Sequence, residues 1–343
     1  MVKICVCGHF GGNENFLDGQ TIKTKNIYSA LVKELGKENV KKCDTYRWTK
    51  NPITFFIKCI NELRKNEIMI ILPAQNGVKV FIPLFTFFNK FYHKKIFYVV
   101  IGGWLPEVLE NKRKLTMQIK KIDKIFVETK IMQSKLQEQG VSNVKVMPNF
   151  KNINIVGILR KKVNLPLKLC TFSRVTKEKG IEDAIDVVNK INKKYDKYIC
   201  KLDIYGRVER EYEEQFYKFA ERFPEYIEYK GTIDYNKTTG TVQMYDLLLF
   251  PTYYAGEGFA GTLLDAMAAG VPAIASDWKY NSEIIKNGFN GYLYEVHNNL
   301  QLQNIIENLA NNTDIIIKMK SNCIKEAKKY IPETVIKILL NEI

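Results

Sequence analysis

The chain has 343 residues, 52 basic and 37 acidic, for a formal net charge of +15, with 46% hydrophobic and 12% aromatic side chains. That length suits about two domains of roughly 150 residues each, and the composition excludes disordered, collagen-like and low-complexity classes. With no run of 18 apolar residues and only a few apolar positions between Lys3 and Gly8, neither a bilayer-crossing helix nor a secretory leader is expected.

In chain order, short apolar runs alternate with segments of helical period. The first half gives the strand candidate Ile4–Cys7, an amphipathic stretch carrying Ile27, Leu31 and Leu35, and the runs Ile68–Leu72, Ile96–Ile101, Ile125–Val127 and Val144–Met147. The second half restarts with Leu167–Phe172 and a helix whose apolar face is Ile181, Ala184, Ile185, Val188 and Ile191. Leu202–Tyr205, Ile227–Tyr229, Leu247–Phe250, Ala273–Ala275 and Tyr292–Tyr294 follow. Unbroken apolar runs between helices are what a parallel sheet covered on both faces requires. The pattern predicts an α/β chain of two doubly wound domains, 1–155 and 156–330, with a ligand cleft at the carboxyl ends of the sheets. A final helical segment within 331–343, carrying Val335, Ile338, Leu339 and Leu340, is expected to dock, with the first domain as the candidate.

The charge is unevenly spread. Residues 1–150 hold 25 basic and 12 acidic side chains, a net of +13, whereas residues 151–343 hold 27 and 25, a net of +2. Lysine supplies 44 of the basic residues and arginine 8, which favours a diffuse positive field over forked recognition of bases. A basic nucleic-acid-binding module is therefore the weakest of three functional readings. The seven cysteines are odd in number and contain no Cys-x-x-Cys pair. Cys5 and Cys7 alternate on one strand face, as reduced thiols of a cytoplasmic core would. His9, His93 and His297 are too far apart in sequence to give a zinc-ligand spacing.

Chemistry concentrates in Pro251-Thr-Tyr-Tyr-Ala-Gly-Glu257-Gly-Phe-Ala-Gly261-Thr-Leu-Leu-Asp265, which runs from a strand end through small residues into a helix ending at Gly270. Gly258, Ala260 and Gly261 keep the loop bare, so backbone N–H groups at the helix start can face an anion. Glu257 stands before the helix and Asp265 inside it, two acceptor-only side chains suited to sugar hydroxyls on either side of a phosphate.

This strand–loop–helix with Glu257-x7-Asp265 resembles the Glu-x7-Glu motif of glycosyltransferase family 4. Asn281-Ser-Glu283 through Gly288-Phe-Asn-Gly291 and Phe172-Ser-Arg174-Val-Thr-Lys-Glu-Lys179-Gly180 continue the similarity over most of residues 165–295. The resemblance implies a GT-B fold of two facing Rossmann-like domains. It also implies a retaining enzyme that moves a sugar from a nucleotide sugar, UDP-linked by family frequency, to a lipid-linked or saccharide acceptor in bacterial surface polysaccharide synthesis. Arg174 and Lys179 would hold the donor diphosphate, and Glu257 would contact the transferred sugar. The N–H groups of Phe259, Ala260 and Gly261, with Thr262 beside them, would lie near sugar and phosphate. Asp265 would accept from the ribose hydroxyls; the family's usual residue there is Glu. Gly231, between Lys230 and Thr232, falls where the base lies. In the first domain, Gly8-His-Phe-Gly11-Gly12 resembles the family's glycine-rich loop, which approaches the donor phosphate. The family's later histidine has no counterpart in Ile101-Gly102-Gly103-Trp104.

No Asp-x-Asp pair occurs, so metal-independent transfer with no cofactor is expected, the countercharge coming from Arg174, Lys179 and the helix start. A GT-B epimerase or hydrolase acting on nucleotide sugars is the alternative reading. The aromatic segment Val80–Lys95 reads as a core helix between two strands or as an interfacial one. With the cationic first half, it suggests a cytoplasmic enzyme peripheral to the inner face of an anionic membrane.

Overall fold

A computed structural model describes every residue except 1, 15, 17, 153, 154, 156 and 158–161. The chain divides into two compact units, Met1–Asn152 with Tyr330–Ile343, and Ile153–Lys329. The sequence reading set the join between 155 and 156, and residue 156 lies outside the described residues.

The first unit runs β1 (Ile4–Gly8), α1 (Gly19–Leu35), β2 (Val40–Asp44), α2 (Pro52–Lys65), β3 (Ile68–Leu72), α3 (Gln75–Tyr92), β4 (Lys95–Val99), α4 (Leu105–Glu110), α5 (Arg113–Ile119), β5 (Lys124–Val127), α6 (Lys130–Glu138) and β6 (Val144–Val146). Its strands form one parallel sheet in the order β2-β1-β3-β4-β5-β6. Every residue of β1 and β3 is buried, as expected where helices cover both faces. The one strand absent from the sequence reading is β2. It lies at the sheet edge and exposes Lys41 and Lys42, so its apolar signal reduces to Val40 and Cys43.

The second unit runs β7 (Leu167–Phe172), α7 (Ile181–Tyr195), β8 (Cys200–Tyr205), α8 (Glu213–Ala220), β9 (Ile227–Gly231), α9 (Thr238–Val242), β10 (Leu247–Phe250), α10 (Gly261–Ala268), β11 (Ala273–Ser276), α11 (Asn281–Ile284), β12 (Gly291–Tyr294), α12 (Asn299–Asn311) and α13 (Thr313–Ala327). All six strands are parallel, ordered β12-β11-β10-β7-β8-β9. The expected face of α7 packs into the core beside Leu167, Leu169 and Leu202.

The last helix, α14 (Pro332–Leu340), belongs to the first unit. Val335, Ile336 and Leu339 are buried with Ile27 and Leu31 of α1, and Glu333 meets Lys33 at 2.6 Å on the surface. No helix among the described residues is long and apolar enough to cross a membrane.

Candidate functional site

In the second sheet the order reverses at β7, whose neighbours are β8 on one side and β10 on the other. Loops leaving the carboxyl ends of β7 and β10 therefore meet at a topological switch point, the usual ligand position in such sheets. The two loops are fastened to each other. The Tyr253 N–H donates to the Glu178 carbonyl at 2.8 Å. Gly180 has φ 65, and a Cβ there would lie 2.1 Å from the Pro251 carbonyl oxygen, so only glycine permits this approach.

That fastening carries Lys179 onto Glu257. Lys179 Nζ lies 2.5 Å from Glu257 Oε2, and the two side chains are only 9% and 11% exposed. Both charges are almost removed from water, so the contact is costly to leave half-made. The Thr252 hydroxyl, itself fully buried, donates to the same carboxylate oxygen at 3.0 Å. Tyr254 completes the group: its ring lies 4.9 Å from Lys179 Nζ and 5.3 Å from the Arg174 guanidinium carbon. Arg174 also contacts Glu209 at 3.2 Å and keeps about half of its side chain exposed. One carboxylate, two cations and an aromatic ring thus converge at the switch point. Both cations and the carboxylate Glu257 were read from the sequence; Thr252, Tyr254 and Glu209 were not. Thr252 and Tyr254 lay inside the motif, but nothing local to a strand end marks which side chain will turn inward.

Helix α10 starts after Ala260 with no side-chain cap. Leu263 N–H donates to the Ala260 carbonyl at 3.1 Å, and the N–H groups of Gly261 and Thr262 precede that first bond at the positive end of the helix, which suits an anion. Gly258, Phe259 and Ala260 are buried in the approach to it, and the Thr262 hydroxyl donates to the Phe172 carbonyl at 2.9 Å, tying the helix start to the end of β7. Asp265 is buried one turn further on, 3.4 Å from the Thr239 hydroxyl. The helix ends as expected at Gly270, φ 65, with Val271 N–H bonded to Ala266 O and Gly270 N–H to Met267 O. Gly231 closes β9, has φ 72, and accepts from Gly206 N–H at 2.9 Å. Gly206 in turn packs directly on Ser173, so the ends of β7, β8 and β9 stand side by side.

In the first unit the switch point is β1, between β2 and β3. Gly11 and Gly12 follow it with φ 85 and 60, and a Cβ on Gly12 would meet the Tyr46 ring at 2.8 Å. Asp44, at the end of β2, holds this loop. Its Oδ1 accepts from Phe10 and Tyr46 N–H, both at 2.9 Å, and its Oδ2 from Gly12 N–H at 2.8 Å. Partial burial opposes ionisation, yet the three N–H groups outweigh it and hold the carboxyl below its ordinary range. Trp104, in the stretch lacking the family's histidine, donates its indole N–H to the Ile101 carbonyl at 2.7 Å.

Asp44→Asn is expected to cost about 1–3 kcal/mol at neutral pH. A lowered folded pKa gives stability that is complete above the unfolded value, about 3.9, and disappears as pH falls through the folded one. Urea melts of both proteins across the acid range should therefore differ near neutrality and converge at the acid end. A constant gap would show that the carboxylate charge is not what holds the loop.

Residues 159–330 match the family profile described as glycosyl transferases group 1. The chain is 24% identical over 271 residues to an uncharacterized glycosyltransferase of Methanocaldococcus jannaschii, covering 70% of this chain and 68% of that protein. It is 27% identical over 188 residues to the GtfA subunit of the UDP-N-acetylglucosamine–peptide N-acetylglucosaminyltransferase of Streptococcus gordonii; the match takes in 52% of this chain but only 35% of that subunit. The crystal structure of HepE from Anabaena in complex with UDP has a TM-score of 0.77 to this chain, at 15% identity and 99% coverage of each. Its likeness shows the fold, two parallel-sheet units of the GT-B type. The chain belongs to the glycosyl transferases group 1 family and is a transferase.

Proposed function

We propose that the enzyme transfers a sugar from a UDP-linked donor, with retention and without a metal ion, to a lipid-linked or saccharide acceptor of a surface polysaccharide. The observation that carries this reading is the buried contact of Lys179 with Glu257 at the β7–β10 switch point. On donor binding Lys179 turns to the diphosphate, Arg174 adds a second cation, and the start of α10 supplies N–H groups. Glu257, still held by Thr252, accepts from the sugar hydroxyls. The bond from the anomeric carbon to the diphosphate oxygen breaks, and the acceptor oxygen bonds to that carbon on the same face. Its proton passes to the departing phosphate oxygen, so the diphosphate is both leaving group and base. HepE was crystallised with UDP and with UDP-glucose, which supports the choice of nucleotide.

Thermal melts with UDP, GDP and ADP, each with and without EDTA, test the donor assignment. UDP at about 100 times its Kd should stabilise the protein by about 2.7 kcal/mol, and EDTA should leave that shift unchanged. Stabilisation only with a divalent ion would overturn metal independence; no shift with UDP would overturn the nucleotide.

An anionic membrane fits the first unit. Helix α3 buries Val78, Phe81, Ile82 and Phe85 but exposes Phe87 and Phe91. Neighbouring α2 exposes Ile53 and Ile57; a ring contact of Phe81 with Phe55 joins the two helices, and Trp48, just before α2, packs on Phe81 as well. With the lysine excess of this half, these side chains suit an acidic lipid surface. Flotation with anionic vesicles at low salt is expected to carry the protein, and a Phe87→Ser, Phe91→Ser double variant should sink. Equal flotation of both would remove these residues from the contact.

A further inference from the structure

Three thiols from separate elements converge beneath the glycine loop. Cys7 and Cys43 are register partners on adjacent strands β1 and β2, so their side chains leave the same sheet face side by side. Helix α2 covers that face and directs Cys59 between them; Cys59 and Leu63 are its buried residues. The three sulfurs all lie within 4.8 Å of one another, and Cys43 Sγ is 3.8 Å from Cys59 Sγ. None of the three is in a disulfide, and none exceeds 2% exposure.

We infer that Cys7, Cys43 and Cys59 form a binding site for one thiophilic metal ion, zinc(II) or copper(I). The distances suit it. With metal–sulfur bonds of about 2.3 Å, sulfurs around one ion stand about 3.8 Å apart in a tetrahedral arrangement and about 4 Å apart in a planar trigonal one. Movements of under about 1 Å therefore close the shell. An all-sulfur donor set in a dry, apolar site selects soft ions over magnesium or calcium. Metal–sulfur bonds would form as the thiol protons leave to solvent. Cys5, two residues before Cys7 on the same strand face, is not one of the three cysteines whose sulfurs lie within 4.8 Å of one another.

The position gives the ion a consequence. Cys7 precedes Gly8, and Cys43 precedes Asp44, whose carboxylate holds Gly12. An ion joining β1, β2 and α2 would fix the base of the loop from below. It would be structural, distinct from the donor chemistry in the second unit, so this inference stands or falls independently of metal-independent transfer.

The test is the metal content of the full-length chain, expressed in zinc- or copper-supplemented medium and purified without air or chelators. Native mass spectrometry should find one ion per chain, its mass distinguishing zinc from copper. Cys59→Ala should lower occupancy at least tenfold, while Cys323→Ala, a buried thiol outside the cluster, should retain it. Refolding the wild type with cobalt(II) gives a check independent of any variant, since thiolate ligation produces intense sulfur-to-cobalt absorption. A wild-type chain that carries no ion from either medium and develops no such absorption overturns the site. So does an ion that Cys59→Ala retains at full occupancy.

Discussion

Glu257→Gln is expected to lower sugar transfer by about 10²–10³-fold while UDP binds as well as before or more tightly. The second half of that expectation separates this arrangement from a generic loss of a site residue. Lys179 Nζ is 2.5 Å from the Glu257 carboxylate. In the proposed binding mode a donor diphosphate draws the ammonium away from that partner, so removing the negative charge removes a competitor. Glutamine keeps the length of the side chain and an oxygen for the Thr252 hydroxyl, which donates at 3.0 Å in the wild type. It cannot balance the buried ammonium. Breaking one side of a buried pair costs about 3–5 kcal/mol, and a loss in that range is expected for this variant. The variant should accordingly melt earlier than wild type and recover much of the difference when UDP is added. Turnover, UDP affinity and melting are measured on the same preparation. Wild-type turnover would take Glu257 out of the reaction, and UDP affinity falling in parallel with turnover would mean that Glu257 binds the nucleotide portion instead.

The parallel sheets were legible because a strand covered on both faces must be apolar throughout. Ile68–Leu72 and Leu247–Phe250 have no polar position, and both occupy sheet interiors. β2 escaped for the opposite reason: an edge strand can turn Lys41 and Lys42 to water. The same contrast governs the site. Glu257, Gly258 and Asp265 belong to one continuous strand–loop–helix, so spacing along the chain reports their neighbourhood. The family resemblance assigned Lys179 and Glu257 to one donor site, but their direct contact, across 78 residues, was not legible in the sequence. Asp44 had no such help. It reaches Gly12 because β1 and β2 pair with Gly8 opposite Asp44. Once β2 is missed, an aspartate 32 positions from the loop carries no local mark of its role. The three thiols are hidden in the same way, since register and helix docking bring them together rather than a Cys-x-x-Cys spacing.

Gly180→Ala is expected to impair the enzyme although its side chain would touch no substrate. Two separate costs arise. The left-handed φ of 65 disfavours any L-residue by about 1–2 kcal/mol. The larger effect is steric: the added Cβ would stand 2.1 Å from the Pro251 carbonyl oxygen, a backbone atom that cannot rotate aside. The loop after β7 must then withdraw from the loop after β10, stretching the 2.8 Å bond from Tyr253 N–H to Glu178 O and pulling Lys179 off Glu257. Destabilisation of about 2–4 kcal/mol is expected in total. Displacement of Lys179 by about 1 Å is enough to cost about 10²-fold in transfer. Gly288→Ala supplies the control, because Gly288 also has a left-handed φ, 72, but its Cβ would meet only the Tyr292 hydroxyl, at 3.8 Å. It should lose only the conformational part, about 1–2 kcal/mol, and keep most of its turnover. Chemical denaturation and steady-state transfer on both variants decide between the two causes. If the variants lose stability and activity equally, left-handed backbone alone accounts for Gly180. If Gly180→Ala loses far more, the closeness of the two loops is what sets Lys179 in place.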